Sequence, residues 1–199
     1  MIIIGVCGRS GSGKTTVGSI IKEKFSSYVD CDVISREVTS KGSECLTQLV
    51  AEFGDDILFE DGSLNRGKLG SIAFGNDDKL KLLNSITHKY IIEKINLIID
   101  EFDLLGEKVV FLDAPTLFES GLDKRCDYIL SVFADEEKLI QRIKLRDGKT
   151  EEEAKKRLLS QHDNEFLKSR SDFVIINNGS LEDLVNSTKI FIKKVEAIL

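Results

Sequence analysis

Apolar residues in this chain fall into short unbroken runs, separated by longer stretches in which they recur every three or four positions. The runs predict buried strands, and the recurrences predict helices lying against them. Five runs read as strands: Ile2–Cys7, Tyr28–Cys31, Lys108–Leu112, Tyr128–Phe133 and Phe173–Ile176. Strands that are apolar on both faces and alternate with helices predict an α/β fold. Its core would be a five-stranded, mostly parallel sheet covered by helices on both sides.

The spacing of the runs is uneven. More than seventy residues, Asp32 to Glu107, separate the second strand from the third, far more than one crossover helix needs. Helical periodicity fills them at Glu44–Phe53, Arg66–Phe74 and Lys79–Phe102. The last carries a broad apolar face that includes Leu83, Ile86, Ile91, Ile95 and Ile99. This insertion, taken as 39–106, reads as a helical acceptor-binding subdomain, or alternatively as a thick helical layer. A second helical region, 136–166, contains Glu136–Arg146, a break at Asp147-Gly148-Lys149, and Thr150–Phe166. Thr150 and Glu153 have the spacing of a capping box, and two charged helices joined at a glycine make a plausible lid. A final helix, Leu181–Ile198, starts after Ser180.

Composition narrows the class. The chain has 199 residues, 41% of them hydrophobic, enough for one core with appendages. Nothing in it approaches the roughly 18 apolar residues of a membrane span, and the apolar start has no basic leader, so a soluble cytoplasmic protein without a membrane partner is expected. A net charge of −6 argues against general nucleic-acid binding. The four cysteines form no C-x-x-C pair, and with two histidines they leave no zinc pattern. Reduced thiols are expected, with Cys7, Cys31 and Cys126 as small core residues.

Residues 8–15 read G-R-S-G-S-G-K-T, which fits the phosphate-binding loop G-x-x-x-x-G-K-[ST] at every fixed position. A strand run precedes the loop, and a helical pattern, Thr16 to Lys24, follows it. This order aims several backbone N–H groups, together with the positive end of a helix dipole, at one point. Gly11, Ser12, Gly13, Lys14, Thr15 and Thr16 are the candidate ATP-binding residues. Lys14 would reach the β- and γ-phosphates, and the Thr15 hydroxyl would ligate Mg²⁺. No N-K-x-D guanine reader is present, and Asp103-Leu104-Leu105-Gly106 reads as a helix stop rather than a GTPase switch.

A kinase needs further groups. Asp30 and Asp32 stand at the end of the second strand, and Arg36 follows Asp32 by one helical turn. Spacing alone favours a solvated Asp–Arg pair. The other reading makes Asp32 a proton acceptor and Arg36 a phosphate clamp. Asp113 ends the third strand, where an acid can hold Mg²⁺ or cap the next turn. Pro115 stiffens the segment up to Glu119, which faces the acceptor or is a surface acid. The lid region offers Arg142, Arg146 and Arg157, and spacing does not say which of them reaches phosphate. His88 and His162 read as ordinary polar residues.

Taken together, these segments resemble the dephospho-CoA kinase family over nearly the whole chain. The likeness runs through Gly8–Thr16, Asp30-Cys31-Asp32-Val33-Ile34-Ser35-Arg36, Leu64-Asn65-Arg66, Leu83–His88, Asp113–Glu119, Arg142–Gln161 and Asp172–Gly179. It implies ATP-dependent phosphorylation of the ribose 3′-hydroxyl of dephospho-CoA, the last step of coenzyme A biosynthesis, with Mg²⁺ and a three-part kinase. It implies that Asp32 is the general base, that Arg36, His88 and Glu119 lie near the acceptor, that Arg142 and Arg146 close from the lid, and that Asn177 lies near the adenine. The chain departs from the family's usual pattern at Arg9-Ser10, Lys89, Thr116, Leu167 and Ser171. The expected assembly is a monomer or weak homo-oligomer. The competing readings are a kinase for another small nucleoside or nucleotide, and a nucleotide-binding regulator without transferase activity.

Overall fold

The computed structural model describes residues 1–73 and 75–199. Five strands form one sheet: β1 (Ile2–Gly8), β2 (Tyr28–Asp30), β3 (Val109–Asp113), β4 (Tyr128–Phe133) and β5 (Phe173–Ile176), in the order β2-β3-β1-β4-β5. The β1–β3, β1–β4 and β4–β5 pairs are all parallel, with Ile4 opposite Phe111 and Tyr128. Parallel pairing leaves no room for tight hairpins, so helices must carry the chain back between strands.

The helices are α1 (Lys14–Lys24), α2 (Cys31–Val38), α3 (Glu44–Phe53), α4 (Arg66–Ala73), α5 (Asp77–Leu104), α6 (Glu136–Asp147), α7 (Glu151–Leu159), α8 (Asn164–Ser169) and α9 (Leu181–Ile198). The chain divides into two compact units, one made of Met1–Val29 with Phe102–Leu199 and the other of Asp30–Glu101. In the first unit, the sheet packs Ile4, Val6, Phe111, Leu130 and Val132 against Val17 and Ile21 of α1 and Phe191 and Val195 of α9. Phe111 anchors that layer, with its ring 5.2 Å from Phe25 and 6.4 Å from Phe191. The second unit has its own core, built around Cys45, Leu49, Ile57, Leu69 and Ile86. Among the described residues, no helix is long and apolar enough to cross a membrane.

Local side chains set several boundaries that periodicity misplaces. Cys31 was expected to end a strand but opens α2, because the Asp30 carboxylate accepts the N–H groups of Asp32 (3.0 Å) and Val33 (3.2 Å) and starts the helix one residue earlier. The single helix expected over Thr150–Phe166 is two. The capping box of Thr150 and Glu153 is present, but α7 stops at Leu159. Asp163 then caps α8 through the N–H of Phe166 at 2.7 Å. An aspartate that bonds nearby backbone offers the chain an alternative to continuing a helix. The long insertion helix runs from Asp77 to Leu104, beyond both expected ends. It closes as a helix stop in which Gly106 donates to Asp103 and Glu107 to Phe102, the paired bonds of a Schellman end. The helix expected over Arg66–Phe74 is seen to Ala73, and Phe74 lies outside the described residues.

Candidate active site

β1 delivers the chain into the glycine-rich loop, and α1 begins at Lys14. Gly11 and Gly13 hold φ of 82° and 97°, a left-handed backbone that side chains disfavour. At Gly13 space forbids a side chain as well, since a Cβ there would lie 2.4 Å from the Asn177 amide nitrogen. No side chain caps α1, and no acid stands in its first turn. Its first N–H groups therefore face outward with the positive end of the helix dipole, a ready site for phosphate. Thr16 N–H turns back onto the Gly13 carbonyl at 3.0 Å. The buried Ser12 hydroxyl has no partner among the described residues. An unpaired buried donor inside the loop, next to a cradle that a Cβ would fill, suits an anionic ligand.

The Lys14 ammonium pairs with one carboxylate oxygen of Asp113 at the end of β3. The Tyr28 hydroxyl donates to the other at 2.8 Å. The Thr15 side chain is exposed at the start of α1. A hydroxyl and a carboxylate are hard oxygen donors of the kind Mg²⁺ takes when substrate phosphates and water complete its shell. Among the described residues, no group of three or more His, Cys, Asp or Glu is placed to hold a metal.

α6 reaches the loop through Arg142. From α6 its guanidinium donates to the Gly11 carbonyl at 3.1 Å and the Asn177 carbonyl at 2.9 Å. Asn177, itself buried, donates its amide to the Ser12 carbonyl at 2.8 Å. Both residues thus brace the loop main chain. Arg146 instead forms a two-pronged pair with Asp147 (2.7 and 2.8 Å), and Arg157 joins the same carboxylate at 2.9 Å. The Arg146 guanidinium holds the exposed Asp147 carboxyl below its usual range. Glu119 lies 3.7 Å from His162, whose ring stacks on Phe166 with centroids 3.8 Å apart.

The second unit holds the remaining candidates. Asp32 and Arg36 lie on the exposed face of α2, in its first and last turns. His88 is half-buried on α5, and burial pushes its pKa below the ordinary 6.5. Next to it in sequence, Asn84 and Thr87 line a groove of about 330 Å³ that has leucines on its floor and the Arg66 guanidinium bonded to Thr39.

Two of the cysteines are held as thiols. Burial pushes the Cys7 thiol up to about 11 and the Cys126 thiol to about 12, so both stay protonated at neutral pH.

A glycine-rich loop of this build serves many phosphate chemistries, and the sequence as a whole decides among them. Residues 2–183 match the family described as dephospho-CoA kinase. The chain belongs to the dephospho-CoA kinase family. A dephospho-CoA kinase of Listeria innocua serovar 6a is 41% identical over 191 residues, covering 96% of each chain. A dephospho-CoA kinase of Campylobacter jejuni has a similar solved structure, with a TM-score of 0.73 and 26% identity over 97% of this chain and 96% of its own. A Thermus thermophilus protein is more alike in structure, with a TM-score of 0.82 and 30% identity over 97% of both chains.

Within this dephospho-CoA kinase family member, three contacts at the loop were not legible beforehand. The Tyr28 hydroxyl on Asp113, the Asn177 amide on Ser12 and the Gln161 side chain on the Ser10 N–H at 3.0 Å each join distant positions. Resemblance placed Asn177 near the adenine, without its bond to the loop, and included Gln161 only as the end of a matching segment. Nothing in the sequence pointed to Tyr28.

Proposed function

We propose that this chain transfers the γ-phosphoryl group of ATP to the ribose 3′-hydroxyl of dephospho-coenzyme A, giving coenzyme A and ADP in the final step of coenzyme A biosynthesis. The observation that carries this reading is the uncapped start of α1, with Lys14 and Asp113 paired beside it, in a member of the dephospho-CoA kinase family.

In this reading the N–H groups from Gly11 to Thr16 cradle the phosphates, and Lys14 shifts from Asp113 to the β- and γ-oxygens. Thr15 and Asp113 would hold Mg²⁺, which when bound offsets charge on the phosphates. Asp32 orients the acceptor hydroxyl and takes its proton as the oxygen bonds to the γ-phosphorus and the bond to the bridging oxygen breaks. Arg36 grips an acceptor phosphate, His88 and Glu119 contact the acceptor, and the groove beside Arg66 and Thr87 takes part of its length. Arg142 keeps the loop in its binding shape next to the phosphates, Arg146 adds charge from the lid, and Asn177 lies beside the nucleotide. Closure of the lid, 136–166, over both substrates excludes water, so ATP is not lost to hydrolysis. The insertion, 39–106, is the acceptor domain. The free thiols suit a reducing cytoplasm, where the protein acts as a monomer or weak homo-oligomer.

A coupled assay with ATP and a panel of acceptors tests the reading. Turnover with dephospho-CoA and product phosphorylated at the 3′ position are expected. Transfer to a nucleoside monophosphate alone, or slow ATP loss indifferent to any acceptor, would overturn it.

A further inference from the structure

Arg9 is the first variable residue of the phosphate loop, yet its side chain does not point to solvent. It is 7% exposed and runs into the lid. Its Nη2 donates to the Leu158 carbonyl at 3.0 Å, in the last turn of α7. Its Nη1 lies 3.6 Å from the Glu136 carboxylate, at the first residue of α6. The Leu158 carbonyl also accepts the Gln161 N–H at 3.2 Å, so the guanidinium is a further donor there, and a cation at this end meets the negative end of the helix dipole. The adjacent Ser10 N–H donates to Gln161, just past the end of α7. From the other side Arg142, on α6, donates to the Gly11 carbonyl. Loop and lid therefore exchange arginines, one in each direction.

Arg9 Nε, although buried, has no acceptor among the described residues. A guanidinium withdrawn from water and left incompletely bonded is costly for stability. Such departures from local optimum concentrate where function requires a geometry. Arg9 is a poor choice for filling space and a good one for spanning from loop to helix end, because its planar fork can serve the α7 carbonyl and the α6 carboxylate together.

We propose that Arg9 is a positioning residue for the ATP site: by fastening the first half of the phosphate loop to α6 and α7, it fixes the backbone N–H groups that receive the phosphates. This rests on the reading of the loop as the ATP site and is independent of which acceptor the enzyme uses. Without that fastening, the loop must lose backbone freedom each time ATP binds, and affinity falls.

Direct calorimetric titration with ATP, without acceptor, tests it in Arg9→Met and Arg9→Lys. Arg9→Met should bind ATP about tenfold more weakly, the factor expected when roughly one residue of backbone must be ordered on binding. Its KM for ATP should rise by the same factor, with the KM for the acceptor unchanged. Arg9→Lys keeps a cation and a donor at the end of α7 and should recover part of the loss. If Arg9→Met does not fold, Gln161→Met removes the neighbouring link at Ser10 and should also weaken ATP binding. ATP affinity within twofold of the parent in the folded variants, whether the melting temperature falls or holds, would overturn the proposal and leave Arg9 a packing residue. Failure of the wild-type enzyme to use dephospho-CoA would instead count against the proposed reaction and leave the ATP titration intact.

Discussion

Lys14 and Asp113 form an ion pair within the first compact unit, the lysine coming from the phosphate loop and the aspartate from the end of β3. The Tyr28 hydroxyl holds the second carboxylate oxygen. In the proposed reaction the ammonium leaves this carboxylate for phosphate, and the Tyr28 bond remains to hold the carboxylate. Lys14→Ala should lower kcat/KM by about 10²–10³ or more, the range for removing one preorganised charge-stabilising donor. The fold should persist, because Asp113 keeps its bond to Tyr28. Steady-state kinetics together with a melting curve check this, and near-normal turnover would remove Lys14 from the reaction.

Asp32 is exposed, in the first turn of α2, where Asp30 and not Asp32 caps the helix. Asp32→Asn therefore leaves the cap intact and removes the proton acceptor assigned to the acceptor hydroxyl. Turnover should fall by about 10²–10⁴, the usual contribution of a general base, with ATP affinity within twofold of the parent. Loss of ATP binding in that variant would assign Asp32 to the nucleotide or to the fold.

What could be read in advance followed distance along the chain. The phosphate loop is eight contiguous residues flanked by a strand run and a helical pattern, so its place at the start of α1 was legible. The sheet was legible for the same reason, since each strand is a local apolar run. The braces around the loop were not. Arg142 meets Gly11 across 131 positions, and Tyr28 meets Asp113 across 85. No periodicity links such pairs. Arg9 illustrates the difference. Its letter is a variable position of a motif, and only the packing of α6 and α7 shows where the guanidinium goes. The break after Leu159 was missed because no glycine or proline marks it in the sequence, and the capping choice of Asp163 alone restarts the helix.

Gly13 combines a left-handed φ of 97° with a Cβ position 2.4 Å from the Asn177 amide. Gly13→Ala should cost about 1–2 kcal/mol for the backbone alone and further stability where the Asn177 bond to Ser12 is displaced. For a chain of this length that corresponds to a melting temperature lower by roughly 4 °C or more. Because the same displacement disturbs the loop that Arg142 and Asn177 brace, ATP affinity should fall with it. Calorimetry on the folded variant reads both, and a variant with parental stability and affinity would show that the loop tolerates a side chain there.

Cys7 lies in β1 with its sulfur 3.0 Å from the Ser131 hydroxyl, and burial lifts its pKa from 9.0 to about 11. A group whose pKa is raised on folding contributes stability that is full below its unfolded pKa and is lost as pH climbs through the folded one. Between pH 9 and about 11 the unfolded chain has released this proton and the native chain has not, so unfolding is favoured as pH rises. The slope is about 1.4 kcal/mol per pH unit for each such thiol. Cys126, lifted to about 12, extends the same loss upward. Denaturant midpoints taken from pH 8 to pH 11 should fall steadily in the parent. In Cys7→Ala they should fall less steeply by about one proton's slope, even though that variant starts from a lower stability. Lysines and tyrosines that titrate in this range act in both proteins, so the difference between the two slopes isolates the thiol, and equal slopes would show that Cys7 ionises as freely in the folded chain as in the unfolded one.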